Sequence, residues 1–201
     1  MFDAKLRPYI DPLLNRMGCA LASAGIGANA ITITGMVTGV IGAVAIAKGY
    51  ILAGLALVIA NRLLDGLDGA VARATKLTDF GGYLDIVADF VFYIAIPVGF
   101  AFAAPDNLLP AVVLLASFAL TGISFLAFAT IAAKRGMETK AHGAKSFFYN
   151  TGIAEGAETI AVFIAMCLVP QHFGAIAYGY AIICCLTVIQ RSAMAARTFS
   201  A

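Results

Sequence analysis

Residues Asp65–Asp89 read DGLDGAVARATKLTDFGGYLDIVAD. Four aspartates (Asp65, Asp68, Asp85 and Asp89) and one arginine, Arg73, fall in stretches that are otherwise apolar. The chain around them has 201 residues, of which 62% are hydrophobic and only 12% charged. An ordinary soluble domain carries about 25% charged residues. The mean hydropathy is +0.94. So little polar surface cannot cover a globule of this size, which predicts an all-α integral membrane protein forming one domain, 1–201. In such a chain each intramembrane carboxylate calls for a physical reason.

A spanning helix needs about 20 mostly apolar residues. Working outward from the quoted stretch, six runs qualify, at about 29–48, 51–73, 80–104, 110–133, 148–169 and 173–195. They predict a bundle of six transmembrane helices over 29–195. Most links are short. The exception is KRGMETKAHGAKS, Lys134–Ser146, which reads as a surface loop. Residues 1–25 mix apolar and basic positions and predict an amphipathic interfacial helix. An irregular anchored tail near Pro8 and Pro12 is the alternative. Asp3, Lys5, Arg7, Asp11 and Arg16, without a long apolar core, argue against a cleaved signal peptide. Cys19, Cys167, Cys184 and Cys185 form no CxxC pair and read as small packing residues.

The basic residues give an orientation. With the N-terminus in the cytoplasm, Lys5, Arg7, Arg16, Arg73, Lys76, Lys134, Arg135, Lys140, Lys145, Arg191 and Arg197 fall at or near the cytoplasmic side. Only Lys48 falls outside, and Arg62 lies within the second span. This is the positive-inside pattern. Asp65–Asp89 then turns around at the cytoplasmic ends of spans two and three.

Helix geometry brings the carboxylates together. At a rise of 1.5 Å per residue, Asp68 lies roughly 7–8 Å above Arg73 and Asp65 roughly 12 Å. Counting from residue 80, with Thr78 or Asp79 as the cap, Asp85 lies roughly 7–8 Å in and Asp89 roughly 13–14 Å. Each pair shares a helix face, since residues three and four apart stack. Left uncompensated, each charge costs about 2.5–3.5 kcal/mol at a membrane-helix centre. Arg62 and Arg73 cannot neutralise four anions, whereas a hard divalent cation, Mg²⁺ or Mn²⁺, suits carboxylate oxygens. Gly66, Gly69, Gly81 and Gly82 leave room for a bulky ligand against the backbone, or for close helix packing. Gly35, Gly39 and Gly42 make a small-residue face for packing on span one. Arg73, beside the cluster, carries a fork of donors suited to phosphate.

The pattern resembles the signature of the CDP-alcohol phosphotransferase (CDP-alcohol phosphatidyltransferase) family. Asp65, Asp68, Gly69, Ala72 and Arg73, then Gly81, Asp85 and Asp89, occupy its fixed positions. Seven residues separate Arg73 from Gly81, one fewer than in its commonest form. The six spans, the preceding interfacial helix and ANAIT at residues 28–32 also look like this family, in particular a bacterial inner-membrane branch. The resemblance implies metal-dependent transfer of a substituted phosphate, usually phosphatidyl, from a CDP-alcohol such as CDP-diacylglycerol to an acceptor hydroxyl, with release of CMP. It implies that Asp65, Asp68 and Asp85 hold the metal. Asp89 becomes a further ligand or the base that takes the hydroxyl proton. Arg73 is placed on the donor phosphates, with Gly69, Ala72 and Gly81 beside them and Asn29 and Thr32 toward the cytidine. The expected partners are the CDP-alcohol donor, a small polar acceptor, membrane lipids and a second copy in a homodimer, with no nucleic acid. The expected location is a bacterial inner membrane, with the N-terminus and the site cytoplasmic.

The acceptor is less legible. Lys134, Arg135, Lys140, Lys145 and Arg191 are cations that a phosphorylated acceptor needs, though the loop lysines equally follow the positive-inside bias. Span five opens NTGIAEGAETI, where Glu155 and Glu158 share a face. Inositol-phosphate-using relatives carry arginines in the comparable stretch, and this chain has Gly156 and Thr159, which weakens that acceptor. The glutamates read as scaffold partners of Arg191 and Lys145, or as contacts for an amine or polyol; Lys145, Glu155, Glu158 and Arg191 are therefore the acceptor-side candidates. His142 and His172 read as bystanders. A secondary transporter or ion pathway is the competing class, since intramembrane acids also serve proton relays. Its sites usually sit near the midplane between repeated halves, unlike this single hairpin.

Overall fold

The computed structural model describes residues 2–137 and 152–200. Among these it contains seven α-helices: α1 (Phe2–Ser23), α2 (Ala28–Ala47), α3 (Ile51–Ala74), α4 (Asp79–Ala103), α5 (Leu108–Lys134), α6 (Gly156–Leu168) and α7 (Phe173–Phe199). Short 3₁₀ turns, Pro105–Asn107 and Pro170–His172, lead into α5 and α7. The stretches Ala28–Ala47, Asp79–Ala103, Pro105–Lys134 and Pro170–Phe199 are long and apolar enough to cross a membrane. In α3, Arg62, Asp65, Asp68 and Arg73 lower the hydropathy of a helix that is otherwise long enough. At 1.5 Å per residue the thirteen residues of α6 rise only about 20 Å, less than a hydrocarbon core of about 30 Å.

The helix ends follow the sequence reading to within two residues in the first four runs; the sixth run continues four residues past the expected 195 to Phe199, and the fifth departs most. The expected span 148–169 begins outside the described residues, and α6 starts only at Gly156. Two amides just before α6 are bonded to side chains instead of to a helical ladder. Gly152 N donates to Glu155 Oε1 at 3.2 Å, and Ala154 N to Thr187 Oγ1 of α7 at 2.9 Å. Residues 2–23 are helical through Pro8 and Pro12, so the irregular tail is not what forms. Past residue 10, α1 lies on α3 at Gly18, where an added Cβ would stand 2.7 Å from Ala70 Cβ. Its Leu13 and Met17 remain exposed.

α2 packs against both α3 and α4. Gly35, Gly39 and Gly42 are all buried at that crossing. A Cβ on Gly39 would meet Phe92 of α4 at 2.7 Å, and one on Gly42 would meet Leu57 of α3 at 3.1 Å. Close approach of this kind is what small residues permit in a setting where lipid is as apolar as leucine. Farther along, an aromatic cluster joins the remaining helices. Phe163 of α6 lies 5.7 Å from Phe92 and 6.1 Å from Phe118 of α5, and Phe118 lies 6.1 Å from Tyr180 of α7. The packed α2–α3–α4 unit carries the conspicuous charges at the end where α3 hands over to α4.

Candidate active site

α4 starts where it does because Thr78 caps it, its Oγ1 accepting from Gly81 N at 3.0 Å. The cap fixes how α4 rises beside α3, and the two helices then present their acids to one cavity of about 490 Å³. α3 contributes Asp65, Asp68, Gly69, Ala72 and Arg73; α4 contributes Gly81, Asp85 and Asp89; α2 contributes Asn29 and Thr32. Every motif position named from the sequence therefore lines the same space. Asp68 is buried, Asp65 and Asp89 are half-buried, and Asp85 is exposed. The Thr32 hydroxyl faces Asp68 while donating to the Ala28 carbonyl at 3.1 Å. The glycines divide between the two roles open to them. Gly66 is a packing position, where a Cβ would lie 2.8 Å from Leu14 of α1, whereas nothing stands within 4 Å of one on Gly82.

Five further residues belong to the site or steady it. Arg62 of α3 reaches across to α4, donating through Nη1 to Asp89 Oδ1 at 2.9 Å and lying 3.6 Å from Asp65 Oδ2. Its position three residues before Asp65, inside an apolar run, is the signal that points to it. Asp11 and Leu14 of α1 also line the cavity. Asn15 Oδ1 accepts from Arg73 Nη2 at 3.1 Å, so α1 steadies the arginine assigned to the donor. With Lys76 in the α3–α4 turn, the lining holds five aspartates against three cations.

The acceptor-side candidates fall elsewhere. Glu155, Glu158 and Arg191 are outside this cavity's lining, and Glu155 and Arg191 belong to a second polar cluster where α5, α6 and α7 meet. Arg191 Nη1 donates to the Thr121 carbonyl at 2.9 Å and to Ser124 Oγ at 3.1 Å. Glu155 lies near enough to Arg191 to interact with it electrostatically. Lys145, Lys140 and His142 lie outside the described residues. The clusters border each other: a Cβ on Gly156 would stand 3.4 Å from the Tyr93 hydroxyl, and Tyr93 is one turn beyond Asp89 on α4.

Among the described residues, no three carboxylate, imidazole or thiolate groups stand close enough as placed to hold an ion. The chemistry nevertheless fits. All four motif acids face one cavity whose lining includes no histidine or cysteine, and Asp65 and Asp89 already face a single cationic nitrogen from opposite helices. Hard oxygen donors of this kind are the type that suits a divalent cation such as Mg²⁺ or Mn²⁺.

Comparison with known proteins identifies the family. A family model described as CDP-alcohol phosphatidyltransferase matches residues 26–191. The inner membrane protein YnjF of Escherichia coli K12 is 44% identical over 192 residues, covering 95% of this chain and 93% of its own. An archaetidylinositol phosphate synthase of Pyrococcus horikoshii is 33% identical over 191 residues, covering 94% of this chain and 93% of its own. The crystal structure of a phosphatidylinositol phosphate synthase of Mycobacterium tuberculosis, with CDP-DAG bound, superposes with a TM-score of 0.65 at 22% identity. That match covers 90% of this chain and 92% of the other and speaks for the fold.

Proposed function

The chain belongs to the CDP-alcohol phosphatidyltransferase family, and on that premise we propose that its α3–α4 cavity transfers a phosphatidyl group from CDP-diacylglycerol to the hydroxyl of a small polar acceptor, releasing CMP. The protein is a multi-pass membrane transferase, and divalent-metal use is typical of its family. The observation that carries the finer reading is the single cavity lined by all four motif aspartates together with Arg73, Asn29 and Thr32.

In this reading Asp65, Asp68 and Asp85 hold Mg²⁺ or Mn²⁺, which when bound offsets the charge of the donor pyrophosphate and of the departing CMP. Arg73, steadied by Asn15, binds the donor phosphates. Gly69, Ala72 and Gly81 keep that wall low, and Asn29 and Thr32 face the cytidine end. Asp89 takes the proton from the acceptor hydroxyl. The acceptor oxygen forms a bond to the β-phosphorus, and the bond from that phosphorus to the CMP oxygen breaks. The proton on Asp89 then leaves to water. The family assignment sets aside the ion-pathway alternative.

The acceptor approaches from the Asp89 side, where Tyr93 and the start of α6 form the border. This is supported by the proximity of Gly156 to Tyr93. Glu155, Glu158 and Arg191 frame that wall, with Lys145 proposed alongside them. The names of the archaeal and mycobacterial relatives make inositol phosphate one acceptor to try. The glutamates make unphosphorylated polyols and amino alcohols the others. The same proposal includes six crossings, with α3 and α6 completing the four longest apolar stretches. It places α1 at the interface, the N-terminus and cavity on the cytoplasmic side of a bacterial inner membrane, and the chain in a homodimer.

The test is direct. Purified protein with labelled CDP-diacylglycerol, Mn²⁺ or Mg²⁺ and the acceptor panel should release CMP only with metal present, and mass spectrometry of the lipid product names the acceptor. Asp89→Asn should slow turnover by about 10²–10⁴-fold, the usual contribution of a general base. Metal-independent CMP release, or full activity in Asp89→Asn, refutes the assignment.

A further inference from the structure

Arg62 lies outside the family motif, yet its side chain is held between α3 and α4, and its partner Asn61 ties it on to α2. Its Nε donates to Asn61 Oδ1 at 2.7 Å, and Asn61 Nδ2 donates in turn to the Gly35 carbonyl of α2 at 2.7 Å. The guanidinium lies 4.4 Å from the Phe92 ring centroid and 5.9 Å from that of Tyr93, both on α4. Its remaining contacts are the 2.9 Å hydrogen bond to Asp89 and the 3.6 Å approach to Asp65. The side chain is 17% exposed. A planar fork fixed at one end by Asn61, backed by an aromatic ring and bonded at the other end to Asp89 has little freedom to move. Surface ion pairs are seldom built this way.

We propose that Arg62 is a positioning residue for the transfer: a built-in counter-cation that fixes Asp89 against α3 and weakens the hold of the neighbouring carboxylates on a divalent ion. The proposal rests on the reading of these aspartates as the metal site. The sign of each effect follows from geometry. A positive charge that touches Asp89 and faces Asp65 repels an incoming divalent ion, so its removal tightens metal binding. The same removal releases Asp89 from its fixed orientation, so turnover falls. A residue that only helped the fold together would move both quantities in the same direction.

The experiment measures Mn²⁺ binding to the full-length detergent-solubilised protein without donor, by the paramagnetic signal of free Mn²⁺, alongside kcat and donor KM. Arg62→Gln should bind Mn²⁺ about tenfold more tightly than wild type. Its kcat should fall about 10–100-fold, the range for residues that orient a metal site, with donor KM little changed. Arg62→Lys keeps the charge without the planar fork, so Mn²⁺ affinity should stay near wild type while kcat still falls. Unchanged or weaker Mn²⁺ binding by Arg62→Gln overturns the proposal, as does wild-type kcat in Arg62→Lys. If Arg62→Gln fails to fold, Arg62→Lys decides: depressed kcat with wild-type Mn²⁺ affinity supports the proposal, and any other combination rejects it. A wild-type protein that takes up no Mn²⁺ refutes the metal site itself, an outcome distinct from failure of the Arg62 role alone.

Discussion

The protein holds two polar clusters, and they treat an arginine in opposite ways. In the α5–α6–α7 cluster, Arg191 donates to the Thr121 carbonyl and to Ser124, tying α7 to α5. Its neighbour Glu155 accepts from the backbone at Gly152. In the α3–α4 cluster, Arg73 and four acids face an open cavity walled by glycine and alanine. Both clusters place charge inside apolar helices, and the α3–α4 cluster leaves that charge facing a cavity. A charge bound by hydrogen bonds to the fold reads as scaffold, whereas one that faces a cavity reads as a ligand contact.

The largest effect that tests this contrast is expected at Asp68, the buried acid of the cavity. Asp68→Ala should abolish both Mn²⁺ binding and CMP release while the protein still inserts and purifies normally, as judged by yield and gel filtration. Failure to insert would move Asp68 to the scaffold class. An intermediate effect is expected at Arg191. Arg191→Ala removes two hydrogen bonds from a charged donor, about 1.5–3 kcal/mol together with the burial around them, or roughly 3–12 °C in Tm for a chain of this size. Mn²⁺ affinity should not change. A raised acceptor KM at unchanged Tm would break the comparison and make Arg191 a direct acceptor contact. The smallest effect is expected at Gly82, where an added methyl meets nothing. Gly82→Ala should stabilise α4 by about 0.5–1 kcal/mol. If that open space receives the donor, CMP release should still fall severalfold. Full activity would mean that the donor keeps away from this face.

Much of this was legible in order of residues alone because helices impose a period. Asp65 with Asp68, and Asp85 with Asp89, share faces whatever surrounds them, and the first four apolar runs became helices within a residue or two of the expected ends. The fifth run misled because its apolarity continues past the point where the backbone finds better partners. Thr187 lies 33 residues from Ala154, and no local pattern reveals that its hydroxyl accepts from that amide. The same limit explains Arg62, which as a sequence feature is one more cation near the aspartates and in the folded chain bridges two helices.

Local spacing and hydropathy thus determined the helical membrane character, the hairpin and the acids on its two faces, since these depend on rises and periods that every α-helix shares. The tertiary structure alone decided that α1 would steady Arg73 through Asn15, that Arg62 would join Asp89 to α3, and that Arg191 would lie apart from the cavity. Each of these depends on which side chains meet across helices distant in the chain, and close packing fixes that only once all the helices are in place.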